Sequence, residues 1–193
     1  PSTSLPIHLK SQAKKTSWPF IDKPLVKILA GVRRCGKSTT FEMLQEEFLR
    51  RGISEDHIIS KRYTEMDIPE NITAKQMYDE LLEAMKGKDH CYLLLDEIQE
   101  IDGWEKAVNS LLEGADADIY VTGSNSKLMS SEISTYLTGR YVSIPVYTLS
   151  FKEYLDFKAD STLSRRELLE EYIRFGGFPI IALSEYDEQS AYQ

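Results

Sequence analysis

Apolar and polar positions alternate along this chain in blocks that predict strands and helices in turn. Leu25 to Ala30 is an apolar run of strand length. Phe41, Leu44, Phe48 and Leu49 recur at helical spacing between Thr39 and Arg51, and Gly52 suits the end of that helix. His57 to Tyr63 reads as a second strand. Thr73 then opens a helix, with Gln76 completing a capping box and Ile72 stapled to Met77; Met77, Leu81 and Met85 form its buried stripe and Gly87 ends it. Cys91 to Leu95 is continuously apolar, as a strand buried on both faces must be. Asp102 is placed to cap a helix that turns Trp104, Val108, Leu111 and Leu112 inward. Asp118 to Thr122 is a further strand, a helix runs through Leu128, Ile133 and Leu137, and Tyr141 to Val146 is the last strand of the set.

Strand and helix alternating in this way predict an α/β fold, a three-layer, doubly wound parallel sheet with right-handed crossovers. Such sheets bind ligands outside the carboxyl ends of their strands. Residues 1–22, rich in Ser, Lys and Pro, read as an irregular arm, residues 23–149 as the core and residues 150–193 as a helical appendage. In the appendage Ser150 with Glu153 and Ser164 with Glu167 are capping boxes, and Leu169, Tyr172, Ile173 and Phe175 are expected to face inward. Gly176-Gly177-Phe178-Pro179 then breaks the pattern.

Three polar groups follow strands. The first is Gly31-Val32-Arg33-Arg34-Cys35-Gly36-Lys37-Ser38, a complete G-x-x-x-x-G-K-[ST] loop between a strand and a helix whose first turn holds Thr39. Its backbone N–H groups and the helix dipole converge on one small volume suited to phosphate. Lys37 would reach the β and γ phosphates of ATP, and the Ser38 hydroxyl would ligate Mg²⁺. The second is Asp96-Glu97: Asp96 is placed to hold Mg²⁺, and Glu97 to orient an attacking water. The third is Ser124-Asn125, where Asn125 is a candidate contact for the γ-phosphate or that water. Arg140 is a candidate for stabilising charge on the transferring phosphoryl group, in its own subunit or a neighbour's.

Composition narrows the partners. The 193 residues carry a net charge of −8, with a pI near 5.0, which gives no support to nucleic-acid binding by this segment. No apolar run approaches membrane-spanning length. Cys35 and Cys91 are expected about 20 Å apart at ~3.3 Å per strand residue, too far for a bridge, which fits a cytoplasmic setting.

The ordered set of the phosphate loop, Leu93 to Gln99, Ile119 to Ser126, Leu137 to Tyr141, Leu149 to Leu155 and Gly176 to Pro179 resembles the AAA-type P-loop ATPases of the AAA_14 family, found in bacteria and archaea and paired with a C-terminal DUF4143 domain of uncharacterised function. The resemblance implies an additional-strand (ASCE) P-loop NTPase with a five-stranded 5-1-4-3-2 sheet. It implies a Walker A motif at Gly31 to Ser38, Walker B acids at Asp96 and Glu97, a sensor at Asn125 and an arginine finger or sensor at Arg140. Family members usually continue past the Gly-Gly-Phe-Pro break, so a truncation before the C-terminal domain is expected. The expected function is hydrolysis of Mg-ATP to ADP and phosphate, by a switch or motor coupled to an unknown protein partner or the missing domain, with self-association through a trans arginine. A regulatory module with little turnover, or a small-molecule P-loop kinase, is the alternative. A kinase should show an arginine-rich lid and an acceptor pocket, and neither is evident.

Overall fold

A computed structural model describes residues 18–32, 37–64, 72–124, 128, 135–148, 150–159 and 161–175. Five strands form one sheet: β1 (Val26–Gly31), β2 (Ile58–Arg62), β3 (Cys91–Asp96), β4 (Ala117–Ser124) and β5 (Tyr141–Pro145). All pairings are parallel, in the order β2-β3-β4-β1-β5, which is the expected 5-1-4-3-2 arrangement. The helices are α1 (Lys37–Arg50), α2 (Ala74–Met85), α3 (Trp104–Gly114), α4 (Phe151–Phe157) and α5 (Arg165–Phe175).

The period-2 geometry of a strand divides the core into two layers. Leu93, Leu95, Ile28 and Val121 pack with Met77, Leu81, Val108 and Leu111 from α2 and α3. Leu29, Leu94, Tyr92 and Tyr120 pack on the opposite face with Phe41, Leu44 and Phe48 from α1. All six residues of β3 are buried, as a central strand covered by helices on both faces requires. Phe48 turns to the sheet, so Leu49, rotated by about 100° on a 3.6-residue helix, is left 44% exposed.

Local signals place most element ends. Thr73 and Gln76 form the reciprocal capping box, and Ser150 with Glu153 forms another at α4. Ser164 accepts from the Glu167 N–H, and the Glu167 carboxylate accepts from the Ser164 N–H, so the box before α5 is also complete. The cap of α3 differs from expectation. Gly103, at φ 74°, is the cap, and it brings no side chain to bond the first turn. The Trp104 N–H bonds the Ile101 carbonyl, so the chain turns into the helix directly through a left-handed residue that glycine adopts at little cost. Asp102 therefore sits one residue too early to cap.

The face of α5 also differs. Leu168 is buried and Tyr172 partly so, packing with Phe151, Tyr154 and Leu155 of α4. Leu169 and Ile173 are 39% and 74% exposed. Ile133, Leu149, the Phe175 side chain and the Gly176 to Pro179 break lie outside the described residues.

At the amino ends of the strands, Lys27 of β1 is fully buried and paired with Asp118 of β4. Asp118 Oδ2 also accepts from the Asp22 N–H at 3.0 Å and the Tyr120 hydroxyl at 2.7 Å, while Lys27 donates to the Lys23 carbonyl at 2.6 Å. Burial lowers the Lys27 pKa despite the attraction of Asp118. On α1, hydrogen bonds from Arg50 and, less strongly, from Arg51 hold the Glu47 carboxyl down at about 2. A carboxylate depressed in the folded state stabilises it above the unfolded-state pKa of ~4.3, and that stability is lost as pH falls towards 2. Glu47→Gln is therefore expected to flatten the loss of melting temperature between pH 5 and pH 2.5 relative to the parent. An unchanged acid limb in thermal melts would remove Glu47 from the account.

Candidate active site

The tips of β3, β4 and β1 lie side by side because those strands are sheet neighbours, and each tip carries a polar group. Register sets their alignment: Gly31 pairs with Ser124, and Leu95 with Val121, so Asp96 stands beside Thr122.

Lys37 opens α1 and is 4% exposed. Its Nζ donates to the carbonyls of Gly31 at 3.0 Å and Val32 at 2.9 Å, so the ammonium is held against the first residues of the phosphate loop. Ser38 Oγ donates to Asp96 Oδ2 at 2.8 Å, joining the first turn of α1 to the end of β3 across 58 residues of sequence. Asp96 is 6% exposed, and its other oxygen, Oδ1, accepts from the fully buried Thr122 hydroxyl. Arg62, ending β2, brings Nε to 3.7 Å from Asp96 Oδ2. The Tyr63 N–H bonds the Asp96 carbonyl at 2.9 Å and fastens β2 to the same tip.

Glu97 leaves the strand in the left-handed region, at φ 55° and ψ 39°. For a side chain with a Cβ this costs about 1–2 kcal/mol. The surroundings hold it: the Glu97 N–H donates to Thr122 Oγ1 at 3.0 Å, and Gln99 Nε2 donates to Glu97 Oε2 at 2.5 Å. Thr122 thus serves both acids, donating to Asp96 and accepting from the Glu97 backbone.

A hydroxyl and a carboxylate at hydrogen-bond distance form a pair of hard oxygen donors of the kind Mg²⁺ takes from protein, the rest coming from water and phosphate. Among the described residues no cluster of three or more His, Cys, Asp and Glu side chains offers a metal an all-protein cage. The donor set therefore fits an ion carried in with a nucleotide.

The structure brings Gly31, Val32, Lys37, Ser38, Asp96 and Glu97 to one edge. Thr39 follows in the first turn of α1. Arg33, Arg34, Cys35, Gly36 and Asn125 lie outside the described residues. Arg140 stands elsewhere. Its carbonyl accepts from the Val26 N–H at 2.8 Å, and Tyr141 pairs with Val26 at the start of β1. At ~3.3 Å per residue that is about 16 Å along the strand from Gly31. Its guanidinium bonds Asn109 at 3.1 Å and Glu113 on α3, whose carboxyl it holds below the usual range. Arg140 is thus at the opposite end of its own sheet. Cys91 is a buried free thiol.

Three residues of this edge escape a linear reading. Thr122 is legible only as the polar last residue of the expected strand. Gln99 reads as an ordinary helix-turn residue, and Arg62 as the exposed end of a strand. Thr122 and Arg62 gain their contacts from strand adjacency, and Gln99 bonds its sequence neighbours Glu97 and Glu100.

Comparisons with known proteins show the family and the fold. The model of the AAA domain family AAA_14 matches residues 23–155. An uncharacterized protein of Haemophilus influenzae is 36% identical over 169 residues, covering 86% of this chain and 42% of the relative. Uncharacterized protein MJ1544 of Methanocaldococcus jannaschii is 38% identical over 167 residues, covering 82% of this chain and 36% of the relative. The chain thus spans about two fifths of the length of these curated relatives. Among solved structures, the S. cerevisiae Hsp104:casein complex in its extended conformation aligns with TM-score 0.56 and 14% identity, over 92% of this chain and 35% of that one. AMPPCP-bound DnaA from Aquifex aeolicus aligns with TM-score 0.55 and 16% identity, over 91% and 56%. At such identities the likeness is one of fold, that of the AAA+ P-loop NTPases.

Proposed function

This chain belongs to the AAA domain family AAA_14, and we propose that it binds Mg-ATP at the edge formed by β1, β3 and β4 and hydrolyses it to ADP and phosphate. The observation that carries this reading is the Ser38–Asp96 contact at 2.8 Å with Glu97 next in the chain. It supports the reading by joining a hydroxyl that follows the proposed phosphate loop's lysine to a carboxylate of the kind magnesium takes, with a second acid next in the chain.

The phosphate loop binds the triphosphate through backbone N–H groups and the amino end of α1. Lys37 exchanges the Gly31 and Val32 carbonyls for phosphate oxygens, a swap that matches its charge with an anion. Ser38 and Asp96 would hold magnesium, which would supply positive charge against the phosphate oxygens. Glu97 accepts a hydrogen bond from the attacking water and orients it in line. The left-handed backbone turns this carboxylate out of the strand direction, and Thr122 keeps the turn in place.

Hydrolysis is proposed to drive a switch or motor whose load is a protein partner or the remainder of a longer chain like those of the relatives. With Arg140 remote from its own phosphate loop, any action of that guanidinium on phosphate belongs to a neighbouring subunit, which makes self-association part of the proposal. No helix among the described residues is long and apolar enough to cross a membrane.

The test is phosphate release from Mg-ATP over a range of protein concentrations, with nucleotide affinity measured in parallel. Turnover per subunit is expected to rise with concentration. Lys37→Ala is expected to weaken Mg-ATP binding by at least 100-fold and to abolish turnover, through loss of ~3 kcal/mol of charge-assisted contacts. Undiminished binding by Lys37→Ala would refute the phosphate-loop assignment. Tight ATP binding by the parent without turnover would replace hydrolysis with a regulatory role.

A further inference from the structure

Gln99 lies in the short 3-10 turn Ile98–Glu100 that follows Glu97. Its Nε2 donates to Glu97 Oε2 at 2.5 Å and to Glu100 Oε1 at 3.1 Å. Two carboxylates on one side of the amide settle which end is nitrogen, since a carboxylate only accepts. The carbonyl end, Oε1, is shielded from solvent and has no hydrogen-bond partner among the described residues. An orphaned buried carbonyl is costly, so the arrangement needs a compensating reason.

The space for that carbonyl comes from Gly123. A Cβ added there would collide with Gln99 Oε1 and would stand 2.7 Å from Leu128 Cγ. The Gly123 backbone lies outside the left-handed region, so close approach is what favours glycine here. Gly123 pairs with Ala30, and the next pair is Ser124 with Gly31 at the mouth of the phosphate loop. The Gln99 amide is therefore wedged between the Glu97 carboxylate and the strand that lies against the loop.

We infer that Gln99 is a positioning residue for Glu97: its amide fixes the plane of the Glu97 carboxylate, and the side-chain-free edge at Gly123 exists to seat that amide. This inference rests on the hydrolase reading above. A glutamate side chain has three rotatable bonds, and a group that orients water must spend little time elsewhere. Tying Oε2 to an uncharged donor restricts those rotations and directs the water to Oε1. Glutamine suits the position because it is a neutral donor long enough to bridge from the turn to β4. Because the amide touches β4 beside the loop, a shift of the β4 tip on nucleotide binding would be felt at Glu97.

The decisive variant is Gln99→Met, of similar length and without a donor. Its kcat for Mg-ATP is expected to fall at least tenfold, with KM and the affinity for AMPPCP within twofold of the parent. In a Glu97→Gln background the same change is expected to cost nothing further, because Gln99 acts only through Glu97. The Gln99 side-chain amide resonance is expected to move in Glu97→Ala, a readout that needs no nucleotide and no turnover. Full kcat in Gln99→Met, an equal loss in the Glu97→Gln background, or an unmoved amide resonance would each overturn the inference. A parent that binds ATP and does not hydrolyse it brings down the hydrolase reading instead, and the amide resonance then decides alone whether Gln99 holds Glu97.

Discussion

Glu97→Gln is expected to bind Mg-ATP as tightly as the parent and to hydrolyse it 100 to 10,000-fold more slowly, the range by which positioned general bases contribute. The substitution keeps the volume and one acceptor oxygen, so the αL backbone, the Thr122 contact and the phosphate loop have no reason to move. What it removes is the negative charge that polarises water. Loss of turnover with retained binding separates Glu97 from Asp96, whose contact with Ser38 predicts a defect in magnesium-dependent binding as well. Phosphate release and equilibrium binding of AMPPCP, measured on the same preparation, read both quantities. Turnover within threefold of the parent would exclude Glu97 as the group that orients water.

The second large effect lies at the other end of the sheet. Asp118→Ala is expected to destabilise the fold by about 3–5 kcal/mol, because it leaves the Lys27 ammonium buried without its counter-charge. It also removes the acceptor of the Asp22 N–H and the Tyr120 hydroxyl. For a chain of this length the loss lowers the melting temperature by about 2–4 °C per kcal/mol. Urea unfolding measures it directly. Lys27→Met combined with Asp118→Leu is expected to recover most of the stability, since a buried pair is offset by its own desolvation and an apolar pair has none to overcome. A single-variant loss below ~1 kcal/mol would mean that water reaches Lys27 and that the pair is not buried in solution. Activity is a useful second readout. The pair stands at the amino ends of β1 and β4, away from the phosphate loop, so the folded fraction should keep its nucleotide affinity.

These two predictions differ in how far the sequence alone led to them. Glu97 is legible as a candidate because its signal is local: an apolar run, a first acid at its end and a second acid next to it. Asp118 and Lys27 are 91 residues apart, and each alone looks like a charge on a strand that ought to face water. The capping boxes at Thr73, Ser150 and Ser164 are legible for the same reason as Glu97, since a cap is settled within four residues. Helix phase is less secure where apolar residues adjoin. With Leu168 and Leu169 in sequence, the pattern does not choose between faces about 100° apart, and the packing of α4 selects Leu168 and Tyr172. The start of α3 fails for a local reason. An aspartate ahead of a helical pattern signals a cap, yet a following glycine can take the left-handed turn itself.

By itself the sequence determined the class of fold and most element boundaries, and it marked out a candidate phosphate loop and a candidate pair of acids. All of these follow from short-range patterns: periodicity, glycine spacing and capping chemistry act within a turn or a strand. The strand order was expected only through the family resemblance, and the tertiary structure decided which side chains meet across the tips. It gave Asp96 to Ser38 and Thr122, placed Gln99 between Glu97 and Gly123, set Arg62 beside Asp96 and carried Arg140 to the far end of the sheet. The physical reason is that strand order is a global outcome of burying two helical layers on one sheet. No local pattern encodes it, and each side chain at the edge acquires its role only when that order is made.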